Sequence, residues 1–292
     1  MIAVDWGSSS LRAFRLGRDG RIVERRRSDQ GLLNANGRFA DVLGGLIDGW
    51  DDALVVMAGM VGSRQGWMEV PYVQLPAGVQ EIAAGMRRLE STAVPRELWL
   101  VPGLSCVDVH GVPDVMRGEE TQLCALLPVL GPGRHRVLLP GTHSKHAWVV
   151  DGCIQQSSTY MTGELFAVLR QHSLLGRMMV DAPHDAAAFA EGVALAAREG
   201  SLLHRLFSVR TRALFDQLQP AQLASYLSGL LIGSELQDID ADGGPLHVIA
   251  ADGLAEAYLA ALALLGRPAT RHAEDSVAQG LYLLARAREL PV

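Results

Sequence analysis

The chain has little cysteine, no dense basic run and no long apolar stretch, and each absence removes a class of function. Cys106, Cys124 and Cys153 are too few and too scattered for a disulfide framework or a CxxC metal site, so three reduced thiols in a cytoplasmic protein are expected. The formal charge of −6, without a cluster of lysine and arginine, excludes the basic surface that nucleic acid requires. No segment approaches the ~18 uninterrupted apolar residues of a membrane span. The opening residues Met1 to Val4 run straight into Asp5, without the basic and long apolar regions of a signal peptide. The partners left are small molecules, and any anionic one must meet local cations.

What is present is ample core material, 49% apolar residues in 292, and a pattern that occurs twice. Ile2 to Val4 and Leu11 to Leu16 are short apolar stretches around Trp6-Gly7-Ser8-Ser9-Ser10, which reads as a hairpin with a small, hydroxyl-rich tip. Arg136 to Leu139 and Ala147 to Val150 repeat the outline around Gly141-Thr142-His143-Ser144-Lys145. Strands are also expected over Leu54 to Met57, Trp99 to Val101 and His247 to Ala250. Helices are expected over Gly118 to Leu130, Leu254 to Leu265 and Ser276 to Arg288, with a largely helical stretch from Gly163 onward.

Such turns suit phosphate. Backbone amides from Gly7 to Ser10 can point at phosphate oxygens, the serine hydroxyls can add bonds, and Asp5 can hold Mg²⁺ through water. The second turn, Gly141, Thr142, His143, Ser144 and Lys145, supplies the other half of a phosphate clamp, and Lys145 and Arg12 are candidates to neutralise transferring charge. His143 and His146 fit no zinc pattern. Ahead of the second turn, Arg117-Gly118-Glu119-Glu120-Thr121-Gln122 starts a helix with adjacent acids, either of which can take a proton from a substrate hydroxyl. A phosphoryl transfer needs little beyond such positioning, a metal and a base.

These segments resemble the sugar kinases of the actin/hexokinase/Hsp70 superfamily. Asp5-Trp6-Gly7-Ser8-Ser9-Ser10-Leu11-Arg12 is similar to their first phosphate motif, Gly141-Thr142-His143-Ser144 to the second, and Val248-Ile249-Ala250-Ala251-Asp252-Gly253 to the adenosine motif. More narrowly, Met57 to Trp67, Met116 to Gln122, Gly141 to Lys145 and Ser228-Gly229-Leu230-Leu231-Ile232-Gly233-Ser234-Glu235 together resemble the 2-dehydro-3-deoxygalactonokinase family over nearly the whole chain. The second phosphate motif carries His143 where many relatives have glycine, and the adenosine turn keeps only Gly253 of a frequent pair.

The resemblance implies an α/β protein of two actin-like ATPase (ribonuclease H-like) domains flanking an interdomain cleft for ATP and substrate. The first would span 1–130 and the second 131–292, with the last helix, about 276–288, packing back at the domain interface. It implies a cytoplasmic ATP-dependent, Mg²⁺-requiring kinase of galactonate breakdown, phosphorylating the C6 hydroxyl of 2-dehydro-3-deoxy-D-galactonate. The resemblance favours Glu119 over Glu120 as the base, since it directly follows Gly118 as the base follows glycine in those kinases; Asp5 is then the metal residue and Ala251, Asp252 and Gly253 the adenosine site. A carboxylate acceptor needs a cation, and Arg64, beside Gly62, Gln65 and Trp67, is the choice; Gln30, Gly31 and Asn34 line the same pocket. A kinase for another sugar acid and an exopolyphosphatase-like hydrolase of the same fold are the alternatives, and a homodimer is compatible with either.

Overall fold

A computed structural model describes residues 1–240 and 244–292. In chain order its elements are β1 (Ile2–Trp6), β2 (Leu11–Leu16), β3 (Ile22–Ser28), α1 (Leu32–Ala35), α2 (Phe39–Leu46), β4 (Leu54–Gly59), β5 (Val73–Gln74), α3 (Val79–Gly85), β6 (Arg87–Leu89), β7 (Glu97–Leu100), β8 (Leu104–Val107), β9 (Pro113–Met116) and α4 (Glu119–Leu126). There follow β10 (Arg134–Leu139), β11 (Ser144–Val150), β12 (Cys153–Tyr160), α5 (Thr162–His172), α6 (Ala186–Ala196), α7 (Leu202–Leu206), α8 (Ser208–Leu214), α9 (Leu223–Glu235), β13 (Leu246–Ile249), α10 (Asp252–Leu264), β14 (Ala269–His272) and α11 (Ser276–Ala287).

The chain folds as two compact units that are not its consecutive halves. One comprises Met1–Arg134, Ala147–Ser158 and Ala273–Val292, the other His135–His146 and Thr159–His272. The first unit recruits α11 because that helix carries an apolar stripe, Val277, Leu281 and Leu284, which is buried where α11 packs on α4, α3 and β1.

In the first unit a six-stranded sheet runs β3-β2-β1-β4-β7-β6. Strands β1 and β2 are the antiparallel hairpin read from the sequence, with Asp5 opposite Arg12, while β1 and β4 run parallel with Asp5 beside Ala58 and Trp6 beside Gly59. Ile2, Val4 and Trp6 bury into one core with Leu11, Leu43, Ile47, Val55 and Met57. Helices cover both faces of a parallel pair, which is why β1 and β4 read as near-continuous apolar runs. Three smaller strands, β5-β8-β9, form a separate sheet.

A second sheet runs β12-β11-β10-β13-β14, parallel at β10–β13 and β13–β14. Its helical cover buries Phe189 and Val193 of α6, Ile232 of α9 and Tyr258 and Leu262 of α10 against Leu138 and Val248. The expected helical stretch after residue 163 is α5 to α9. Strands β3 and β12 escaped the sequence pattern because they are outer strands of their sheets: Glu24, Arg25 and Arg27 of β3 point to solvent, and charge on an edge strand blocks pairing with other chains.

Three histidines from adjacent strands of the second unit join in line. His135 Nδ1 lies 3.1 Å from His247 Nε2, and His247 Nδ1 lies 3.0 Å from His272 Nε2. Burial, followed by the neighbouring His272 and His135, pulls the His247 pKa down to about 4, and burial also lowers that of His272. A histidine held neutral in the fold and free to charge in the unfolded chain contributes stability that is intact above the unfolded value of about 6.5 and is lost as pH falls toward 4. Thermal unfolding at pH 7.5 and pH 5 should therefore show a melting temperature that drops with acid by several degrees, and by less in His247→Gln. An equal drop in the two proteins would exclude His247 as the source.

Candidate active site

The first turn is held from below by α1. Gly7 N–H donates to Ser10 O at 2.9 Å, and the amides of Leu32 and Leu33 donate to Gly7 O and Ser8 O at 2.9 and 3.1 Å. Gly31 stands at that junction because any Cβ there would collide with the backbone of Ser8 to Ser10. Ser8 and Ser9 remain exposed at the tip, and Trp6 Nε1 bonds Gln30 O at 3.0 Å, so Gln30 and Gly31 share the turn while Asn34 is exposed one helical turn on.

Asp5 faces Arg12 across the hairpin. Arg12 Nε and Nη2 both donate to Asp5 Oδ2, at 3.0 and 2.7 Å, and its Nη1 donates to Glu274 Oε1 at 2.7 Å. Burial works against the guanidinium charge, but Asp5 and Glu274 outweigh it and its pKa is raised. Asp5 Oδ1 carries no hydrogen bond among the described residues. Glu274 was not anticipated: it lies 262 positions from Arg12, and no local spacing marks it.

The adjacent acids of α4 have different surroundings. Gly118, at φ 111°, takes a backbone conformation that other residues rarely adopt, and a Cβ there would sit 3.5 Å from Gly59 Cα, so the start of α4 abuts the end of β4 beside Trp6. Glu120 is fully buried, accepts from Gly118 N–H at 2.6 Å and has an Oε1 without a partner. Burial, then the charge of Glu119, pushes its pKa up to about 8. Glu119 is half-buried, with Oε2 accepting from Arg117 N–H at 3.1 Å. Of the two, Glu119 is the one with exposed surface.

The segment after β4 forms the neighbouring wall. Gly62 is buried, Arg64 and Gln65 are exposed on the turn, and the Arg64 guanidinium makes no hydrogen bond or ion pair among the described residues. Trp67 stacks on Phe39 at 6.0 Å, and Phe39 meets Trp6 edge-on at 5.5 Å, so an aromatic ladder links this wall to the first turn. Arg117, which the sequence reading passed over, ties the wall to α4: its Nη2 donates to Val70 O at 2.8 Å, its guanidinium lies 4.4 Å over the Tyr72 ring, and its Nη1 is beside Gly62.

In the second unit Thr142 and His143 are exposed at the tip of the other turn. Glu164 N–H donates to Thr142 O at 2.9 Å and His143 Nε2 lies 2.5 Å from Glu164 Oε2. Ser144 and Lys145 are buried instead: Ser144 Oγ donates to Glu235 Oε1 at 2.7 Å, and Lys145, the single lysine of the chain, donates from Nζ to Thr159 Oγ1 at 2.7 Å. Both side chains are engaged within the unit, while Thr142 and His143 remain exposed. Ala251, Asp252 and Gly253 are exposed at the start of α10. Next to them a cavity of about 160 Å³ is lined by Gly141, Phe166, Leu231, Leu254 and Tyr258, a mostly apolar slot between α5, α9 and α10. The sequence motif Ser228 to Glu235 lies on α9, one end lining this slot and the other reaching the turn.

The sequence profile of the 2-keto-3-deoxy-galactonokinase family matches residues 5–284. A protein of Rhizobium meliloti named a probable 2-dehydro-3-deoxygalactonokinase is 37% identical over 98% of this chain and 96% of its own length. The 2-dehydro-3-deoxygalactonokinase of Escherichia coli is 36% identical over 98% and 97%. Among solved structures, a Sinorhizobium meliloti protein assigned the same activity superposes with a TM-score of 0.90 at 36% identity, covering 98% of both chains. The activator of 2-hydroxyisocaproyl-CoA dehydratase from Clostridium difficile, solved with bound ADPNP, shares the fold alone, at a TM-score of 0.52 and 10% identity over 99% of this chain and 96% of that one.

Glu120 titrates in the opposite sense to His247. Its folded pKa lies above the unfolded value, so its contribution is intact below about pH 4.5 and is lost as pH rises through 8. In Glu120→Gln that loss disappears, and chemical denaturation should show the variant gaining on the order of 4 kcal/mol relative to wild type between pH 5 and pH 8.5. A constant difference across that range would mean that Glu120 is already ionised in the fold.

Proposed function

Because the chain belongs to the 2-keto-3-deoxy-galactonokinase family, we propose that it transfers the γ-phosphoryl group of ATP to the C6 hydroxyl of 2-dehydro-3-deoxy-D-galactonate in galactonate catabolism. The observation that carries this reading is the meeting, in one unit, of the Asp5–Arg12 turn with the start of α4, where Gly118 abuts Gly59. A phosphate turn and a carboxylate base at one end of parallel strands are the parts a kinase needs.

Glu119 accepts the proton of the acceptor hydroxyl as its oxygen bonds to the γ-phosphorus. The bond from that phosphorus to the bridging oxygen breaks, and ADP leaves with the electron pair. The amides and hydroxyls of Gly7 to Ser10, and the backbone, Thr142 and His143 of the second turn, hold phosphate oxygens. The slot beside Leu254 takes the adenine ring, with Ala251 to Gly253 at its rim. Arg64, exposed and uncompensated, meets the acceptor carboxylate, and Gln30, Gly62, Gln65 and Trp67 shape the pocket around it.

The residues present suit Mg²⁺. Among the described residues Asp5 Oδ1 is without a hydrogen bond, an oxygen donor of the kind this hard cation takes, directly or through water. When bound it offsets the charge on the β- and γ-phosphates. Arg12 holds the Asp5 carboxylate in place. We place the enzyme in the cytoplasm, with which the free thiols of Cys106, Cys124 and Cys153 agree; among the described residues no helix is long and apolar enough to cross a membrane.

ADP formation measured with and without acceptor tests the reading. Turnover should require the sugar acid and should far exceed that with galactose or glucose; acceptor-independent ADP release would favour a hydrolase instead. Glu119→Gln should lower kcat about 10²–10⁴-fold with little change in the ATP KM. Arg64→Ala should raise the acceptor KM about ten- to a hundredfold while leaving the ATP KM nearly unchanged. If Glu120→Gln alone stops turnover, the base is Glu120.

A further inference from the structure

We infer that Glu235 is the positioning residue of the second phosphate turn, setting nucleotide affinity from inside the unit without touching the nucleotide. This rests on the kinase reading above. Glu235 is the last residue of α9 and is buried, yet its pKa is lowered: burial opposes the charge, and hydrogen bonds and the charge of His146 more than offset it.

Four side chains converge on its two oxygens. Ser144 Oγ donates to Oε1 at 2.7 Å and His146 Nε2 lies 2.9 Å from the same atom. Thr162 Oγ1 and Tyr258 OH donate to Oε2 at 2.5 and 2.6 Å. An ionised carboxylate survives such burial only when its acceptor sites are filled, and leaving it half-satisfied is costly.

Each donor lies at the edge of the proposed nucleotide site. Ser144 is the first residue after the exposed tip, and His146 is two further along β11. Thr162 begins α5, whose next residue, Gly163, packs so closely on Gly141 that a Cβ would strike the Gly141 carbonyl. Glu164, one residue on, supports Thr142 through its amide and His143 through its carboxylate. Tyr258 and Thr162 also line the apolar slot. One carboxylate therefore holds both the C-terminal side of the turn and two walls of the slot. A phosphate site made of backbone amides binds only as well as those amides are held, so loosening the anchor should appear as lost nucleotide affinity.

Glu235→Gln keeps the size and removes the charge, and the amide nitrogen cannot accept from either donor of the oxygen it replaces. The expected result is a rise of about tenfold or more in both the ATP KM and the Kd for a nonhydrolysable ATP analogue by calorimetry, with the acceptor KM changed less than about twofold. A purely structural role would lower the melting temperature and the active fraction while leaving both KM values of the folded fraction unchanged. Should Glu235→Gln fail to fold, Tyr258→Phe removes one donor and should raise the analogue Kd a few-fold. Analogue binding unaltered in a folded variant, or ATP and acceptor KM values rising together, would overturn the inference while leaving the kinase reading intact. A wild-type protein that neither binds the analogue nor consumes ATP would overturn both.

Discussion

A turn that grips phosphate with its own backbone has no side chain to hold its shape from within, so its geometry has to be imposed by neighbours. In both units a carboxylate takes part, with one oxygen held in the first unit and both held in the second. In the first, Asp5 is gripped by Arg12, which is gripped in turn by Glu274; in the second, Glu235 draws four donors around the base of the turn. An anion near a phosphate site repels the ligand unless its charge is spent elsewhere. These two spend it differently, one on an ion pair within the hairpin and one on a closed set of hydrogen bonds.

The same logic separates the two acids of α4. Adjacent residues on a helix point about 100° apart, so only one of a consecutive pair can face a ligand. Here Glu120 turns into the protein and is pushed toward its neutral form, partly by the charge of Glu119, while Glu119 stays at the half-exposed start of the helix. The helix is itself fixed from several sides, by Gly118 against Gly59, by α11 along its length and by Arg117 reaching Val70 and Tyr72. The Arg117 clamp places the proposed acceptor wall and the proposed base on one support.

Much of the fold was legible because its central strands are buried on both faces and its turns carry glycine and hydroxyl residues at fixed places. The hairpin at Asp5 to Arg12, the strand and turn at Leu54 to Ser63, and the helices beginning near Glu119, Asp252 and Ser276 all follow from local spacing. The edge strands β3 and β12 did not, since a strand exposed on its outer side carries the charged and polar residues that otherwise mark loops. At the candidate site the turn residues were named from sequence, but the burial of Ser144 and Lys145 among them was not legible there.

What the sequence determined alone was therefore the chemistry available: two phosphate-type turns, a pair of acids after Gly118, and an arginine beside a glycine-rich strand end, each a matter of residues within a few positions of one another. The tertiary structure decided which of those groups face a ligand and which hold the frame. Glu274 reaches Arg12, Glu235 reaches Ser144, and Arg117 reaches Val70 across separations of 262, 91 and 47 residues. Hydrogen bonds and burial depend on distance in space, and no local periodicity encodes a partner so far along the chain.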